Sequence, residues 1–214
     1  PRRLEIGAVS YLNTKPLVHG LGEQNDDLRV VYDVPSRLAD RLALGELDVA
    51  LIPSFEFLRN PDYAIVSDAC IGCRGSVLSV KLFSSCPLTE IKTLALDEGS
   101  RTSVVLVQVL LDELCGIRPR LQRLPIGQGL ETATSDAVLM IGDRAIQAVS
   151  ERYAPVWDLG QVWNEMFKTP FVFAVWAVRP DLPEAFVDRL AGVLGTARDA
   201  GLAAIDTIAV AEHA

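Results

Sequence analysis

Histidine is scarce in this sequence. Among 214 residues there are two histidines, His19 and His213. A histidine general base has to lie within hydrogen-bond reach of the proton that it removes. Because His19 falls in a predicted helix and His213 comes next to the last residue, neither position favours that role. The sequence therefore does not predict chemistry based on histidine.

Cysteine is also sparse, and its four copies are scattered among apolar residues, which favours reduced thiols over a disulfide framework. Cys70 and Cys73 have the C-x-x-C spacing of redox and zinc sites. However, the sequence offers no second pair and no nearby histidine, and a thioredoxin-type motif would lie at a strand-to-helix turn. We therefore expect neither a metal ion nor a redox centre.

Long apolar runs, basic clusters and nucleotide-binding motifs are missing. No apolar segment reaches the roughly 18 residues that span a bilayer, and no signal-peptide pattern precedes the first predicted strand. We expect a soluble, cytoplasmic protein. Because the chain does not begin with Met, the sequence leaves open whether a leader has been removed. A net charge of −8 argues against nucleic-acid partners and an anionic membrane surface. Neither G-x-x-x-x-G-K nor G-x-G-x-x-G occurs, so no nucleotide cofactor is predicted.

The composition is that of a folded protein. Hydrophobic residues make up 50% of the chain and charged residues 22%, which excludes a disordered chain. A length of 214 residues suits one large domain or two lobes.

The order of apolar segments predicts an α/β fold in two parts. Predicted strands Leu4–Val9, Leu28–Val34 and Val49–Ile52 are each followed by a helix, a pattern that indicates a parallel sheet. Segments Ala64–Ile71 and Ser76–Ser84 then follow one another without a helix, as happens where a chain leaves one lobe for another.

A second α/β series opens near Thr93, and the late apolar strand Phe171–Val178 predicts a return to the first lobe. We therefore predict the bilobal, type II periplasmic-binding-protein-like fold, in which two crossover strands join two lobes around a central cleft. Lobe 1 would comprise residues 1–84 and 173–214, and lobe 2 residues 85–172. This fold closes around small anions, but the fold alone does not determine the function of a protein.

Polar segments at the predicted strand ends are the candidate binding residues, since ligands bind at that edge of open α/β sheets. Ser10–Lys15 is predicted to form a loop that offers hydroxyl, phenol, amide and ammonium groups to a small anion. Ser100–Ser103 opens the predicted helix Val104–Leu114, where N–H groups, hydroxyls and a guanidinium can hold an anion. A plain capped helix with a solvated arginine is an equally weighted alternative. The substrate-binding candidates are Ser10, Tyr11, Ser54, Ser100, Arg101, Thr102, Ser103, Gly142 and Asp143.

Several motifs along the whole chain form a more specific pattern. They are Val9–Leu17 (VSYLNTKPL), Gly45–Ala50 (GELDVA), Gly75–Val80 (GSVLSV), Ser100–Val104 (SRTSV), Ile141–Asp143 (IGD), Leu159–Gly160 and Pro170–Ala177 (PFVFAVWA). Together they resemble the chorismate dehydratase family, the first enzymes of the futalosine route to menaquinone.

The resemblance implies conversion of chorismate to 3-[(1-carboxyvinyl)oxy]benzoate and water, without a metal or an organic cofactor. The catalytic Asn of that family's first loop corresponds to Asn13, and its catalytic Ser to Ser79. The position of Lys15 is variable in the family, so Lys15 is assigned no chemical role. One hypothesis fits the lack of an obvious base: the substrate's enolpyruvyl carboxylate removes the ring proton while Asn13 and Ser79 hold the geometry.

Three alternatives stay open. The dihydroxynaphthoate synthase of the same pathway shares the fold, but its first loop has a Ser-Pro-Cys-Pro-Asn-like pattern that Tyr11–Thr14 does not match. A non-catalytic receptor for small anions is favoured by the lack of an acid-base pair, whereas the match at Asn13 and Ser79 opposes it. A ligand-sensing regulator domain would require an attached DNA-binding module.

Overall fold

The computed structural model describes residues 3–22 and 27–213, with the side chain of His213 outside the described part. The chain forms two units, and each consists of one five-stranded sheet with helices. The first unit contains residues 1–71 and 173–214, and the second contains residues 72–172. Within the described ranges, no helix is long and apolar enough to cross a membrane.

The elements of the first unit come from two stretches of the chain, one before and one after the second unit. Its elements are β1 (Leu4–Val9), the 3-10 helix Leu12–Val18, β2 (Leu28–Asp33), α1 (Pro35–Ala43), β3 (Val49–Pro53), α2 (Ser54–Arg59), β4 (Ala64–Cys73), β10 (Phe171–Val178), α6 (Glu184–Ala203) and α7 (Ile205–His213).

The first sheet has the strand order β2-β1-β3-β10-β4. Strand β1 is parallel to both β2 and β3, which confirms the parallel sheet predicted from the βα repeats. Strand β10 lies antiparallel to β3. All five residues of β3 are buried, as expected for a central strand covered on both faces. On α1, Leu38 and Leu42 lie four residues apart and are both fully buried, because this spacing puts them on the helix face that covers the sheet.

The second unit is continuous in sequence. Its elements are β5 (Val80–Ser84), the 3-10 helix Leu88–Glu90, β6 (Thr93–Asp97), α3 (Thr102–Cys115), β7 (Arg120–Leu124), β8 (Ala137–Ile141), α4 (Asp143–Gln147), β9 (Val156–Asp158) and α5 (Leu159–Phe167). The strand order is β7-β6-β8-β5-β9. Strand β6 is parallel to β7 and β8, whereas β5 is antiparallel to β8 and β9.

The pairing of β5 corrects the predicted boundary between residues 84 and 85. Val80 to Ser84 pair with Ile141 to Ala137, so this strand belongs to the second sheet, and the first unit ends at residue 71. The physical reason is that Leu82, in the middle of β5, is fully buried in the second unit. The second change of unit falls between Val172 and Phe173, the position that the sequence analysis also chose.

Candidate functional site

In the first unit, two predicted binding residues lie at the same edge of the sheet. Ser10 directly follows β1, and Ser54 directly follows β3 as the first residue of α2. Because β1 and β3 are parallel neighbours, their carboxyl ends meet at one edge. Ser10 is exposed and Ser54 is half-buried. The fold thus places both hydroxyls where open α/β sheets bind ligands.

The segment after β1 is more ordered than a loop. A 3-10 helix already begins at Leu12, which corrects the prediction that residues 10–15 form a loop. The half-buried Tyr11 packs against the apolar core, and its carbonyl oxygen accepts a 3.0 Å hydrogen bond from the N–H of Thr14. The buried hydroxyl of Thr14 donates to Asn13 Oδ1 across 3.4 Å. Asn13 itself is exposed, so this short helix presents its amide to solvent.

Helix α6 packs closely against the 3-10 helix Leu12–Val18. A Cβ added at Gly201 would lie 2.0 Å from the carbonyl oxygen of Pro16, so the helix can approach the 3-10 helix closely because residue 201 has no side chain. Lys15 forms an ion pair with Glu212 of α7, with 2.8 Å between Nζ and Oε1. The ammonium that the sequence analysis counted among the donors of this segment is therefore paired within the first unit.

In the second unit, Ser79 and Gly142 are neighbours across two antiparallel strands. Ser79 immediately precedes β5 and Gly142 immediately follows β8, and the carbonyl oxygen of Ser79 accepts a 2.8 Å hydrogen bond from the N–H of Gly142. Ser79 is 6% exposed. Gly142 has φ 71° and ψ −160°, a conformation that is essentially restricted to glycine. This pairing puts Ser79 at the carboxyl edge of the parallel strands β6 and β8.

The predicted anion-binding residues at the start of α3 lie at the same edge. Ser100, Thr102 and Ser103 are all buried, and Arg101 is half-buried. Ser100 Oγ accepts a 3.2 Å hydrogen bond from the N–H of Ser103, which lies in the first turn of α3. The positive end of the helix dipole adds to the attraction for an anion. Since α3 runs for 14 residues, it has a full macrodipole at this point.

A buried carboxylate organises these segments, and the sequence analysis missed it. Asp97, the last residue of β6, is fully buried. Its Oδ1 accepts from the N–H of Gly99 at 2.9 Å, and its Oδ2 accepts from Ile141 N at 3.3 Å and Arg144 Nη2 at 2.7 Å. One side chain therefore ties the loop before α3 to the end of β8 and the start of α4.

Burial raises the pKa of Asp97, while the N–H of Gly99 and the guanidinium of Arg144 oppose that rise. The signal for Asp97 in the sequence was a carboxylate directly after the strand-length segment Thr93–Leu96. Neither Asp97 nor Arg144 was among the candidates from the sequence. The fold assigns Arg144 to Asp97. Asp143, the first residue of α4, is half-buried beside this pair.

Comparison with known proteins assigns the chain to a family. The menaquinone biosynthesis family matches residues 4–214. The chain belongs to this family.

A relative in the menaquinone biosynthesis family is the chorismate dehydratase of Thermus thermophilus. It is 35% identical over 224 aligned positions, which cover 97% of this chain and 80% of the relative.

The fold of this chain is similar to that of solved structures of other proteins. A protein of Archaeoglobus fulgidus has a TM-score of 0.77 at 15% identity, covering 96% of this chain and 79% of its own. A Candida albicans protein, described as having the generic periplasmic binding protein fold, has a TM-score of 0.60 at 12% identity, covering 97% and 74%. The predicted periplasmic-binding-protein-like α/β fold is thereby confirmed.

The cysteines of this family member are free thiols. Partial burial raises the pKa of Cys73, and the nearby carboxylate of Asp158 adds to that rise. A raised pKa keeps a thiol protonated at neutral pH and lowers its reactivity. Within residues 3–22 and 27–212, no three His, Cys, Asp or Glu side chains come together as a potential metal site.

Proposed function

We propose that this protein is a chorismate dehydratase, which eliminates water from chorismate to give 3-[(1-carboxyvinyl)oxy]benzoate. The observation that carries the proposal is the 35% identity to the Thermus thermophilus chorismate dehydratase over 97% of the chain. The identity extends over nearly the whole chain, so it includes the candidate residues of both units.

The reaction places simple demands on the protein. Breaking the ring C–O bond and removing the neighbouring ring proton releases water and leaves an aromatic ring, so the driving force lies in the substrate. The protein then has to hold two carboxylates, orient the ring and stabilise the departing hydroxyl. The buried hydroxyls and helix start at Ser100–Ser103 can hold one carboxylate, because N–H donors and a helix dipole favour an anion.

We assign the catalytic roles to Asn13 and Ser79. The amide of Asn13 can donate a hydrogen bond to the departing hydroxyl and accept one from the substrate. The hydroxyl of Ser79 can donate to a substrate oxygen from a fixed position. Ser10, Tyr11, Ser54, Gly142 and Asp143 complete the proposed binding set.

The proton goes to the substrate's own enolpyruvyl carboxylate in this proposal. His19 is exposed, and Glu56 is ion-paired with Arg59, with 3.6 Å between Oε1 and Nη1. An external base of this kind is therefore not part of the proposed mechanism. The protein acts as a hydro-lyase that needs no cofactor, and its substrate is a small dianion.

Incubation of the purified protein with chorismate tests the proposal. The cyclohexadiene absorbance should fall while a benzoate product, one water lighter than chorismate by mass spectrometry, accumulates at the same rate. Binding of chorismate without turnover, unchanged in Asn13→Ala, would instead indicate a non-catalytic receptor for small anions.

A further inference from the structure

The carboxylate of Asp158 holds the two residues that precede Ser79. Its Oδ2 accepts a 2.7 Å hydrogen bond from the N–H of Leu78, and its Oδ1 accepts one of 3.0 Å from the N–H of Val77. The same Oδ1 accepts a 3.1 Å bond from the N–H of Gln161, so Asp158 also caps α5. One side chain thus joins the start of a helix to the backbone that leads into β5.

The backbone conformation of Leu78 requires stabilising contacts of this kind. It has φ 65°, in the left-handed region, although it carries a branched side chain that is 58% exposed. That conformation is unfavourable for a leucine and persists where the surroundings fix it. The side chain of Leu78 contributes little packing, so the hydrogen bond from its N–H to Asp158 is the main fixed contact that we identify. Ser79, the next residue, takes its direction from this turn.

Helix α5 packs closely against the segment that precedes Ser79. A Cβ added at Gly160 would lie 2.7 Å from the carbonyl oxygen of Gly75 and 2.6 Å from Cys73 Sγ, so the helix start lies directly against the segment before Ser79. The hydroxyl of Ser76 also donates to Gln161 Oε1 at 3.3 Å. The segment 73–78 is therefore docked on α5 at several points, with Asp158 at the centre.

We propose that Asp158 is a positioning residue that acts through Ser79. It would fix the left-handed turn at Leu78 so that the Ser79 hydroxyl points at the substrate, and its charge would not contact the substrate. This inference rests on the proposed function, in which Ser79 acts on chorismate. Asp158 was not among the candidates from the sequence.

Asp136 provides a matched control in the same sheet. Its Oδ2 accepts hydrogen bonds from the N–H groups of Lys92 and Thr93 at 3.0 and 2.9 Å, and from the Thr93 hydroxyl at 2.9 Å. Like Asp158 it uses a carboxylate to fix backbone next to a strand, but it lies at the amino ends of β6 and β8, opposite the edge that carries Ser79.

The kinetic experiment compares Asp158→Asn with Asp136→Asn. An asparagine at 158 has one acceptor oxygen where aspartate has two, so it loses either the bond from Leu78 or the bonds from Val77 and Gln161, while the side chain keeps its size. Both variants should lower the melting temperature, whereas only Asp158→Asn should lower kcat, by about 10- to 100-fold, because small misplacements of reacting groups are costly. KM should change less than kcat. Equal kcat values in the two variants would overturn the inference.

A double substitution tests whether Asp158 acts through Ser79. If it does, Asp158→Asn should reduce kcat in the wild-type background and have little further effect in the Ser79→Ala background. If the fold loss of kcat in the double variant equals the product of the two single losses, Asp158 acts independently of Ser79, contrary to the proposal.

Amide hydrogen exchange supplies a readout that does not depend on chorismate. In Asp158→Asn at least one of the N–H groups of Val77 and Leu78 should exchange at least about tenfold faster, since an unprotected amide exchanges more quickly, and in Asp136→Asn neither should. Unchanged exchange at both amides would overturn the inference whatever the activity. Absence of turnover in the unmodified protein would overturn the proposed function, whereas turnover with a normal kcat in Asp158→Asn would overturn the inference alone.

Discussion

The two units present their candidate residues in opposite ways. In the first unit Asn13 is exposed on a short 3-10 helix, with a long hydrogen bond of 3.4 Å from Thr14. In the second unit Ser79 is 6% exposed and Ser103 is 3% exposed, and backbone contacts hold both. Fixed donors need no reorganisation when charge develops, whereas an exposed amide can adjust to the substrate. The candidate residues of the second unit are thus buried and fixed by backbone contacts, whereas the amide of Asn13 in the first unit is free to change its orientation.

The largest expected effect follows from removing the exposed amide. Asn13→Ala should lower kcat about 100- to 1,000-fold, the loss seen when one donor to a transition state is removed. The melting temperature should stay unchanged because the side chain is exposed. Steady-state kinetics with chorismate and thermal unfolding measure the two quantities.

The control for that prediction is His19→Ala, an exposed residue of the same unit, which should keep normal kcat. An equal loss in His19→Ala or Glu56→Gln with intact folding would contradict the substrate-assisted mechanism.

The next effect concerns the buried carboxylate of the second unit. Arg144→Met removes the guanidinium 2.7 Å from the fully buried Asp97 and should lower the free energy of unfolding by about 3 kcal/mol, because an unpaired buried charge is costly. Arg118→Met breaks a pair of the same 2.7 Å length on the surface and should cause no measurable change. Denaturant unfolding of both variants makes the comparison, and equal losses would contradict the role assigned to burial.

The same variant has a pH dependence with a definite sign. Burial already holds the pKa of Asp97 above its ordinary value, and removal of Arg144 raises it further. A group whose pKa is higher in the folded state costs stability as the pH rises through the window above its unfolded value, about 3.9 for an aspartate. The deficit of Arg144→Met should therefore shrink as the pH falls toward that value and be greatest near neutrality.

A smaller effect is expected where α6 supports the first-unit segment. Gly201→Ala places a methyl group 2.0 Å from the Pro16 carbonyl oxygen, and the resulting displacement should cost about 1–3 kcal/mol of stability. The displaced 3-10 helix carries Asn13, so kcat should fall as well. Gly192→Ala is the control, since a Cβ there meets no atom within 4 Å and should stabilise the helix by about 0.5–1 kcal/mol. A normal kcat in Gly201→Ala would mean that Asn13 does not depend on this packing.

The smallest effect is predicted for Lys15→Met. The ion pair with Glu212 is partly exposed, with 38% and 33% of the two side chains accessible, so its loss should cost less than about 1 kcal/mol. Turnover should remain close to normal because Lys15 is given no role in the reaction. A loss of kcat as large as that of Asn13→Ala would show that Lys15 acts on the substrate and would remove the contrast between the two units.

Local sequence patterns predicted much of the fold. The predicted bounds of β1 and β10 coincide with the observed ones, since each is a mainly apolar segment of strand length. The 3-10 helix after β1 was predicted as a loop because its polar residues lack an amphipathic repeat. The first boundary was misplaced because strand pairing depends on partners far away in sequence, and β5 pairs with β8.

The candidate site could likewise be predicted only in part from the sequence. Strand-end hydroxyls such as Ser10 and Ser100 could be located from sequence, because a strand's end fixes their place on the sheet. Asp97 and Arg144, 47 residues apart, meet only through the topology of the second sheet. Asp158 and Leu78, 80 residues apart, do so as well. Their roles depend on contacts that no local pattern encodes, whereas the assignments of Asn13 and Ser79 stay predictions that kinetics can test.

The position of β10 has a consequence for synthesis on the ribosome. In the order β2-β1-β3-β10-β4, strand β10 is made after β3 and β4 but lies between them, and its residues from 173 to 178 are all buried. Residues 72–172 form a contiguous unit that can fold as soon as it leaves the exit tunnel, while β3 and β4 still lack the neighbour that separates them. Until that strand arrives, the first sheet has open edges, which are the sites where chaperones bind and aggregation begins. The first unit, although its residues 1–71 are made first, therefore completes its core after the second.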